Sequence, residues 1–369
     1  MTVLQSEPRY ELSERLIWSR LAGPTAKAED ALARLDERLA KSELRQGWIA
    51  RADFTDACAS LWLEGELVHV EDLVLHDAMM DVRAPTAELV RAHAVLRARR
   101  RIQMATSGWA LKPSGLDVLR GRATIDDAPQ SKLGIDEDWE EPDADDEWAK
   151  SLAAIDAVVA RSEKLLSGER VEPRARSERP SLIYDLDWDE DARLAEWRQT
   201  VDATSALPPT LAAAIALDAW NHIEPLQAQP YLGRLLAAEL LRARAKTRAF
   251  NVGLSIGLKA TPQEKRWKRD PAIQIEVGLA ALSAAAEAGL KEHDRLAMAQ
   301  NVLSLRARGR RSSSSLPNLL ALAIETPVVT ASLIAARLGV TQRAATTLAL
   351  ELGLRETTGR KRYRAWSAA

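Results

Sequence analysis

The chain contains a single cysteine, Cys58, in 369 residues. That excludes a disulfide framework and a cysteine-rich zinc site. Histidine is scarce as well, with five scattered copies, and Phe (2) and Tyr (4) are outnumbered by Trp (11). Val, Ile and Thr form no alternating runs before the extreme C-terminus, so no large sheet is expected. No apolar run of about 18 residues lacks a charge. The longest candidate, 272–290, carries Glu276 and Glu287, and no membrane span is expected. MTVLQSEPRY has no basic region followed by an apolar run. With no export signal and one cysteine, a cytoplasmic location is expected. Neither sign of charge is in clear excess, because the net charge is −2. Taken as an average, that figure argues against a nucleic-acid partner.

Alanine, leucine and arginine are what the chain does have, and they favour helix. The hydrophobic fraction of 46% excludes wholesale disorder. An all-α fold of two or three domains is expected. Leu12, Leu16, Leu32, Leu35 and Leu39 predict one or two helices over 11–45, with Gly23-Pro24 as a break. Further helices are predicted over 48–66 and 84–102, the latter with Val90, His93, Ala94 and Leu96 inward. Between Asp126 and Glu147 stand eleven acidic residues against Lys132 alone, which predicts an acidic linker over 121–149. An amphipathic stretch (151–166) and an Arg-, Ser- and Pro-rich linker (167–181) follow. Asp185, Asp187, Asp189, Glu190 and Asp191 read either as a divalent-metal loop or as a solvated helix N-terminus. Helices are predicted over 211–222, 232–249 and 271–307, and Pro225 and Pro230 keep the first two apart.

Residues 316–366 carry the clearest signal. A helix over 316–325 precedes a second one opened by Thr330. Gly339-Val340-Thr341 is a turn, and Thr341 caps a third helix with Ala344, Ala345, Leu348 and Leu352 inward. This is helix-turn-helix grammar. The next segments flank Gly359 as a β-hairpin, the expected wing of a winged helix. Gln342, Arg343, Thr346 and Thr347 are the candidate base readers, since Arg pairs with guanine and Gln with adenine. Arg360, Lys361, Arg362 and Arg364 are the candidate phosphate contacts.

Two segments upstream resemble the Fic (filamentation-induced-by-cAMP) family of nucleotidyl transferases. Ser60, Glu64 and Gly65 match the pattern of its inhibitory helix. Pro225, Gly233 and Arg234 match parts of its active loop. The resemblance implies an ion pair between Glu64 and Arg234. The sequence departs from the family where its chemistry lies. Glu224 replaces the general-base His, and Gln227-Ala228-Gln229 supplies no metal-binding acid. The Gly-Asn-Gly phosphate cradle and the first arginine are missing. Phosphoryl-group chemistry thereby loses its main electrostatic terms. A degenerate core without catalytic residue, metal or cofactor is therefore expected. The layout and the ending T-G-R-K-R-Y-R-A-W are also similar to an alphaproteobacterial family that joins an N-terminal domain of unknown function to a C-terminal helix-turn-helix.

The expected organisation is an N-terminal helical region (1–120), the acidic linker (121–149), a Fic-like core (150–310) and the winged helix-turn-helix (316–369). The expected function is DNA binding by a transcriptional regulator, with homodimerisation possible because helix-turn-helix proteins read symmetric sites. The alternatives are a nucleotidyl transferase with an altered loop and a protein-interaction adaptor. Charge placement supports the first. Residues 240–369 hold 22 Lys or Arg against 9 Asp or Glu, a balance of +13, and the remainder stands at −15. The near-neutral sum is a cancellation between two ends of opposite sign.

Overall fold

The computed structural model describes residues 9–13, 15–81, 84–122, 188–266, 270–307, 315–357 and 364–368. The 121–149 linker beyond Arg122, the 151–166 stretch, the 167–181 linker, Asp185 and Asp187 lie outside them. The described chain is all-α apart from one small C-terminal sheet.

The N-terminal part contributes α1 (Trp18–Ala40), α2 (Arg45–Leu63), α3 (Val70–Asp77), α4 (Ala87–Met104) and α5 (Pro113–Leu119). The central part contributes α6 (Glu190–Ala203), α7 (Pro209–Ile223), α8 (Tyr231–Ala243), α9 (Leu254–Ala260), α10 (Gln263–Arg266) and α11 (Pro271–Ala307). At 37 residues, α11 is the spine of the molecule. It is the one described helix long and apolar enough to cross a membrane by length and composition. Here its apolar side is covered by α1, α7 and α9. Ile275, Leu279, Leu282, Ala286, Leu296 and Leu303 are buried along it.

Two sequence expectations fail in this core for packing reasons. Gly23-Pro24 does not break the first helix, because α1 runs through Pro24. Leu21, Thr25, Ala28, Leu32, Leu35 and Leu39 recur at helical spacing on the side facing α11, and all are buried. Burial of that stripe outweighs the roughly 3 kcal/mol cost of an internal proline. On α4, Val90 is exposed, and His93 and Ala94 are only half-buried. The inward side is Leu89, Ala92, Val95, Leu96, Arg99 and Ile102. The arginine run 97–101 hid this face, since Arg99 is the most deeply buried residue of that cluster.

Arg99 is held in an all-buried triad. Its Nε donates to Asp53 at 2.6 Å and its Nη1 to Asp56 at 2.8 Å. Nη2 donates to the Asn251 carbonyl at 2.6 Å, which ties α4 and α2 to the segment leading into α9. Burial outweighs the Arg99 charge and raises the Asp53 carboxyl above its ordinary range.

Glu239 on α8 is a further fully buried carboxylate. It accepts from the Gly108 N–H at 2.5 Å and lies 3.0 Å from Arg242 Nε. Burial pushes its pKa up to about 7, against the pull of Arg242 and the Gly108 N–H. A raised carboxyl stabilises the fold below its unfolded pKa of about 4.5 and loses that contribution as pH rises through about 7. The unfolding free energy from denaturant titration is expected to fall between pH 5 and pH 8 by an amount on the order of 2–3 kcal/mol from this group. Glu239→Gln should flatten that slope.

The C-terminal part contains α12 (Leu316–Glu325), β1 (Val329–Thr330), α13 (Ala331–Leu338), α14 (Gln342–Leu352), β2 (Arg355–Glu356) and β3 (Ala365–Ser367). The strand order is β1-β3-β2, with both pairs antiparallel. The β2–β3 pair forms the arms of the expected hairpin, and β1 was not legible in the sequence. Its two residues sit between helices, too short for any periodicity.

Candidate functional site

The site is assembled from α13, α14 and the strands. Thr330 Oγ1 accepts from the Leu333 N–H at 3.2 Å and starts α13. Gly339 ends it in the left-handed region, with φ of 66°. Thr341 Oγ1 then accepts from the Ala344 N–H at 3.2 Å and starts α14. Inward, α14 buries Ala345, Ala349 and Leu352, while Ala344 and Leu348 are half-buried. Ala345 and Ala349 are small enough to let α13 approach closely.

The opposite face of α14 begins with Gln342 and Arg343, both exposed. Thr347 is exposed and Thr346 half-buried. Their hydroxyls donate back to the Arg343 carbonyl at 3.1 Å and the Gln342 carbonyl at 3.0 Å. Each threonine thus spends its donor within the helix. What remains outward is an acceptor lone pair and a methyl group, the latter suited to a thymine methyl. Arg337 and Arg355, which the sequence reading did not select, are exposed in the same domain.

Arg364 immediately precedes the third strand. Its Nε lies 3.6 Å from Glu356 Oε1 across the β2–β3 pair, so its charge is partly engaged. Arg360, Lys361 and Arg362 lie outside the described residues. The Thr357 N–H donates to the Ala365 carbonyl at 2.8 Å and closes the described part of the hairpin.

Two arginines outside the domain position it, and no local sequence signal marks either. Arg51 on α2 is buried, and its Nη1 donates to the Ala323 and Thr326 carbonyls at 3.1 and 2.8 Å. It caps the C-terminus of α12 from another element. Arg306 near the end of α11 donates to the Leu352 and Gly353 carbonyls at 3.3 and 3.0 Å. It does the same for α14. Gly353 has φ of 77°, and a Cβ there would lie 1.7 Å from Arg306 Nη1. Gly353→Ala is expected to displace Arg306 and strain the turn, at a cost of about 1–3 kcal/mol. Faster protease cleavage within 316–368 than within the core would register it.

The second cluster lies between α2 and α8. Arg234 Nη2 donates to Glu64 Oε1 at 2.5 Å and to Ser60 Oγ at 2.6 Å. The structure therefore brings Ser60, Glu64 and Arg234 together. Gly65, which follows with φ of 88°, ends the α2 turn. A cavity of 180 Å³ adjoins Arg234, lined also by Asn221 and Arg266. The Nε–H groups of Arg234 and Arg266 are both buried there without a partner among the described residues.

The loop 224–230 is shaped by packing. Glu224 is the C-cap of α7, in the left-handed region with φ of 49°, and its side chain is exposed. Pro225 and Leu226 are buried. Pro230 is the N-cap of α8. A Cβ at Gly233 would lie 2.3 Å from the Trp220 indole, so this glycine admits the close crossing of α7 and α8. His222 is exposed and meets the Tyr10 ring edge-on at 6.0 Å between centroids. Of the acidic run, Asp189 caps α6 by accepting from the Ala192 N–H at 2.9 Å. Asp191 takes Arg120 at 3.0 Å, and Glu190 takes Arg122 at 3.0 Å. Among the described residues no group of three His, Cys, Asp or Glu is placed to hold a metal. Cys58 is buried, which pushes its thiol up to about 12.

Two capped helices around a glycine turn, with a polar end on the second helix, define a helix-turn-helix domain on an all-α core. Residues 316–368 match the family model described as HTH DNA binding domain. The chain is thus a helix-turn-helix protein of the DNA-binding class. Residues 182–308 match the family model described as Protein of unknown function (DUF1612). The chain is 44% identical over 378 residues to a Sinorhizobium fredii protein titled Uncharacterized protein y4cF, covering 97% of this chain and 99% of the relative. It belongs to this family, in which a DUF1612 domain is followed by a C-terminal helix-turn-helix.

Proposed function

We propose that the protein is a sequence-specific transcriptional regulator that reads DNA with α14 and grips the backbone with a winged hairpin. The observation that carries this is the exposed polar end of α14, Gln342, Arg343 and Thr347, in a domain of the DNA-binding class. In this motif the N-terminal residues of the second helix enter the major groove. Arg360, Lys361, Arg362 and Arg364 would add phosphate contacts from the hairpin. The acidic remainder of the chain opposes DNA, which confines binding to the C-terminal end. A pair of copies on a symmetric site is part of this reading, as is a cytoplasmic location.

Selection from a random duplex pool, followed by mobility shift on the enriched site, tests it. Arg343→Ala is expected to weaken the enriched site by about 1–3 kcal/mol and relax preference at one base pair. Enrichment of no sequence, with equal binding of all duplexes, would remove the sequence-specific part.

The Ser60–Glu64–Arg234 cluster favours a second reading, a Fic-like nucleotidyl transferase. Its adjoining cavity of 180 Å³ is little larger than the about 150 Å³ that holds benzene, and too small to enclose a nucleoside triphosphate. The loop also supplies neither base nor phosphate cradle. Incubating Glu64→Gly protein with labelled nucleoside triphosphates tests this reading, and no label transfer is the outcome we expect.

A further inference from the structure

A second cavity lies where the core meets the helix-turn-helix domain. It measures 250 Å³ and reaches from α1 and α2 across to α11 and to Pro327, which leads into β1. Leu35, Trp48, Phe250, Val252 and Ala285 supply apolar wall. These walls are held in place. Trp48 Nε1 donates to the Gly289 carbonyl at 2.9 Å, and its ring meets Phe250 edge-on at 5.2 Å between centroids. A Cβ at Gly289 would lie 2.9 Å from Trp48 Cζ2, so the indole lies across α11 only because that position is glycine.

Charge is confined to one end. Arg51, Glu292 and Arg295 line the cavity there. The Glu292 carboxylate accepts from Arg51 Nε at 3.2 Å and from Arg295 Nε and Nη2 at 2.9 and 3.0 Å. One anion thus serves two guanidinium groups, and one positive charge is left over. No other lining residue carries a charge. Asp53 and Asp56, also on α2, are turned to Arg99. Thr55 spends its hydroxyl on the Arg51 carbonyl at 3.0 Å.

Size limits the occupant. An apolar cavity of about 150 Å³ holds benzene. A volume of 250 Å³ therefore encloses one ring with a short side chain, and is too small to enclose a whole nucleotide. We infer that this cavity is a binding site for a small hydrophobic monocarboxylate, an aromatic acid of the size of phenylacetate. Its ring would lie among Trp48, Phe250 and Val252, and its carboxylate would take the net positive charge that Glu292 leaves at Arg295 and Arg51. Arg51 is also the residue that holds the α12 carbonyls. An acid bound there would bias the mounting of the helix-turn-helix domain, so ligand and DNA would alter each other's affinity. That coupling rests on the DNA-binding reading, and the binding site does not.

Calorimetric titration of the full-length protein tests the site, with phenylacetate, phenylacetamide and benzylamine as probes. Saturable phenylacetate binding is expected, at least about tenfold tighter than the neutral amide, because a charge-assisted contact is lost. Benzylamine is expected not to bind. Ala288→Leu fills the cavity lining and should abolish binding, and Arg295→Gln should shrink the preference for acid over amide. Arg295 is exposed, so its replacement leaves the fold intact even where Ala288→Leu fails to fold. Absence of saturable heat up to about 10 mM phenylacetate overturns the site, as does equal affinity for acid and amide. Phenylacetate added to a mobility shift tests the coupling by itself. A changed DNA affinity supports it, and an unchanged one with calorimetric binding intact overturns the coupling alone.

Discussion

Arg99→Leu is expected to destabilise the protein by roughly 4–5 kcal/mol, with a larger loss at pH 8 than at pH 5. The residue is 1% exposed and answers two carboxylates that are themselves buried. Removing it leaves the buried Asp53 and Asp56 without a hydrogen-bonded counter-charge, and strands the Asn251 carbonyl. Each carboxyl is then protonated more readily in the folded chain than in the unfolded one. A pKa raised in that sense supplies stability at low pH that is lost as pH rises through the folded value. Wild-type Asp53 already lies above its ordinary range because of burial, so the variant extends an existing tendency. Chemical denaturation at several pH values checks this. Asp53→Asn/Asp56→Asn/Arg99→Met should recover much of the loss, since replacing a whole buried triad costs far less than breaking it. A pH-independent loss in Arg99→Leu would show that packing, and not charge, was removed.

Arg51→Met carries the second large effect, on the order of 3 kcal/mol, and it should be local. Arg51 is 3% exposed and bonds carbonyls at the end of α12 that have no partner within their own helix. Glu292 loses one of its two guanidinium partners as well. Methionine fills the volume and supplies no donor. The expected outcome is a calorimetric trace that splits, with the helix-turn-helix domain melting before the core. The wild type should show one transition, because Gly47 on α2, where a Cβ would lie only 3.0 Å from Ile324 Cγ2, lets the two regions share a packed face. A single transition in Arg51→Met, at the wild-type temperature, would show that this contact does not hold the domain.

How much of this was legible depended on the range of the interaction. Thr330, Gly339 and Thr341 act within four residues of themselves, through caps and a left-handed turn, and the sequence displays such signals directly. The helix-turn-helix was readable for that reason. Pro24 looks like a break in the sequence because its effect is decided by the stripe that α11 buries, which is remote in sequence. Arg51, Arg99 and Arg306 looked like ordinary basic residues. Their roles depend on carbonyls and carboxylates 43 or more positions away. The Glu64–Arg234 contact spans 170 positions and entered only through a resemblance, since no periodicity could pair those residues. Gly233, matched to the same motif, packs against Trp220, so a motif position can be filled by a residue doing different work.

The most direct test of the central claim is the salt dependence of DNA affinity for the full-length protein on its selected site. Binding carried by the C-terminal basic segment releases one counterion for each neutralised phosphate. With Arg360, Lys361, Arg362 and the partly engaged Arg364 as contacts, log K is expected to fall with log salt at a slope of about −3 per copy. Arg362→Ala should make that slope shallower by about one unit, and Arg343→Ala should leave the slope and lower the affinity on the selected site only. A slope near zero, or no complex with any duplex at low salt, would contradict the account.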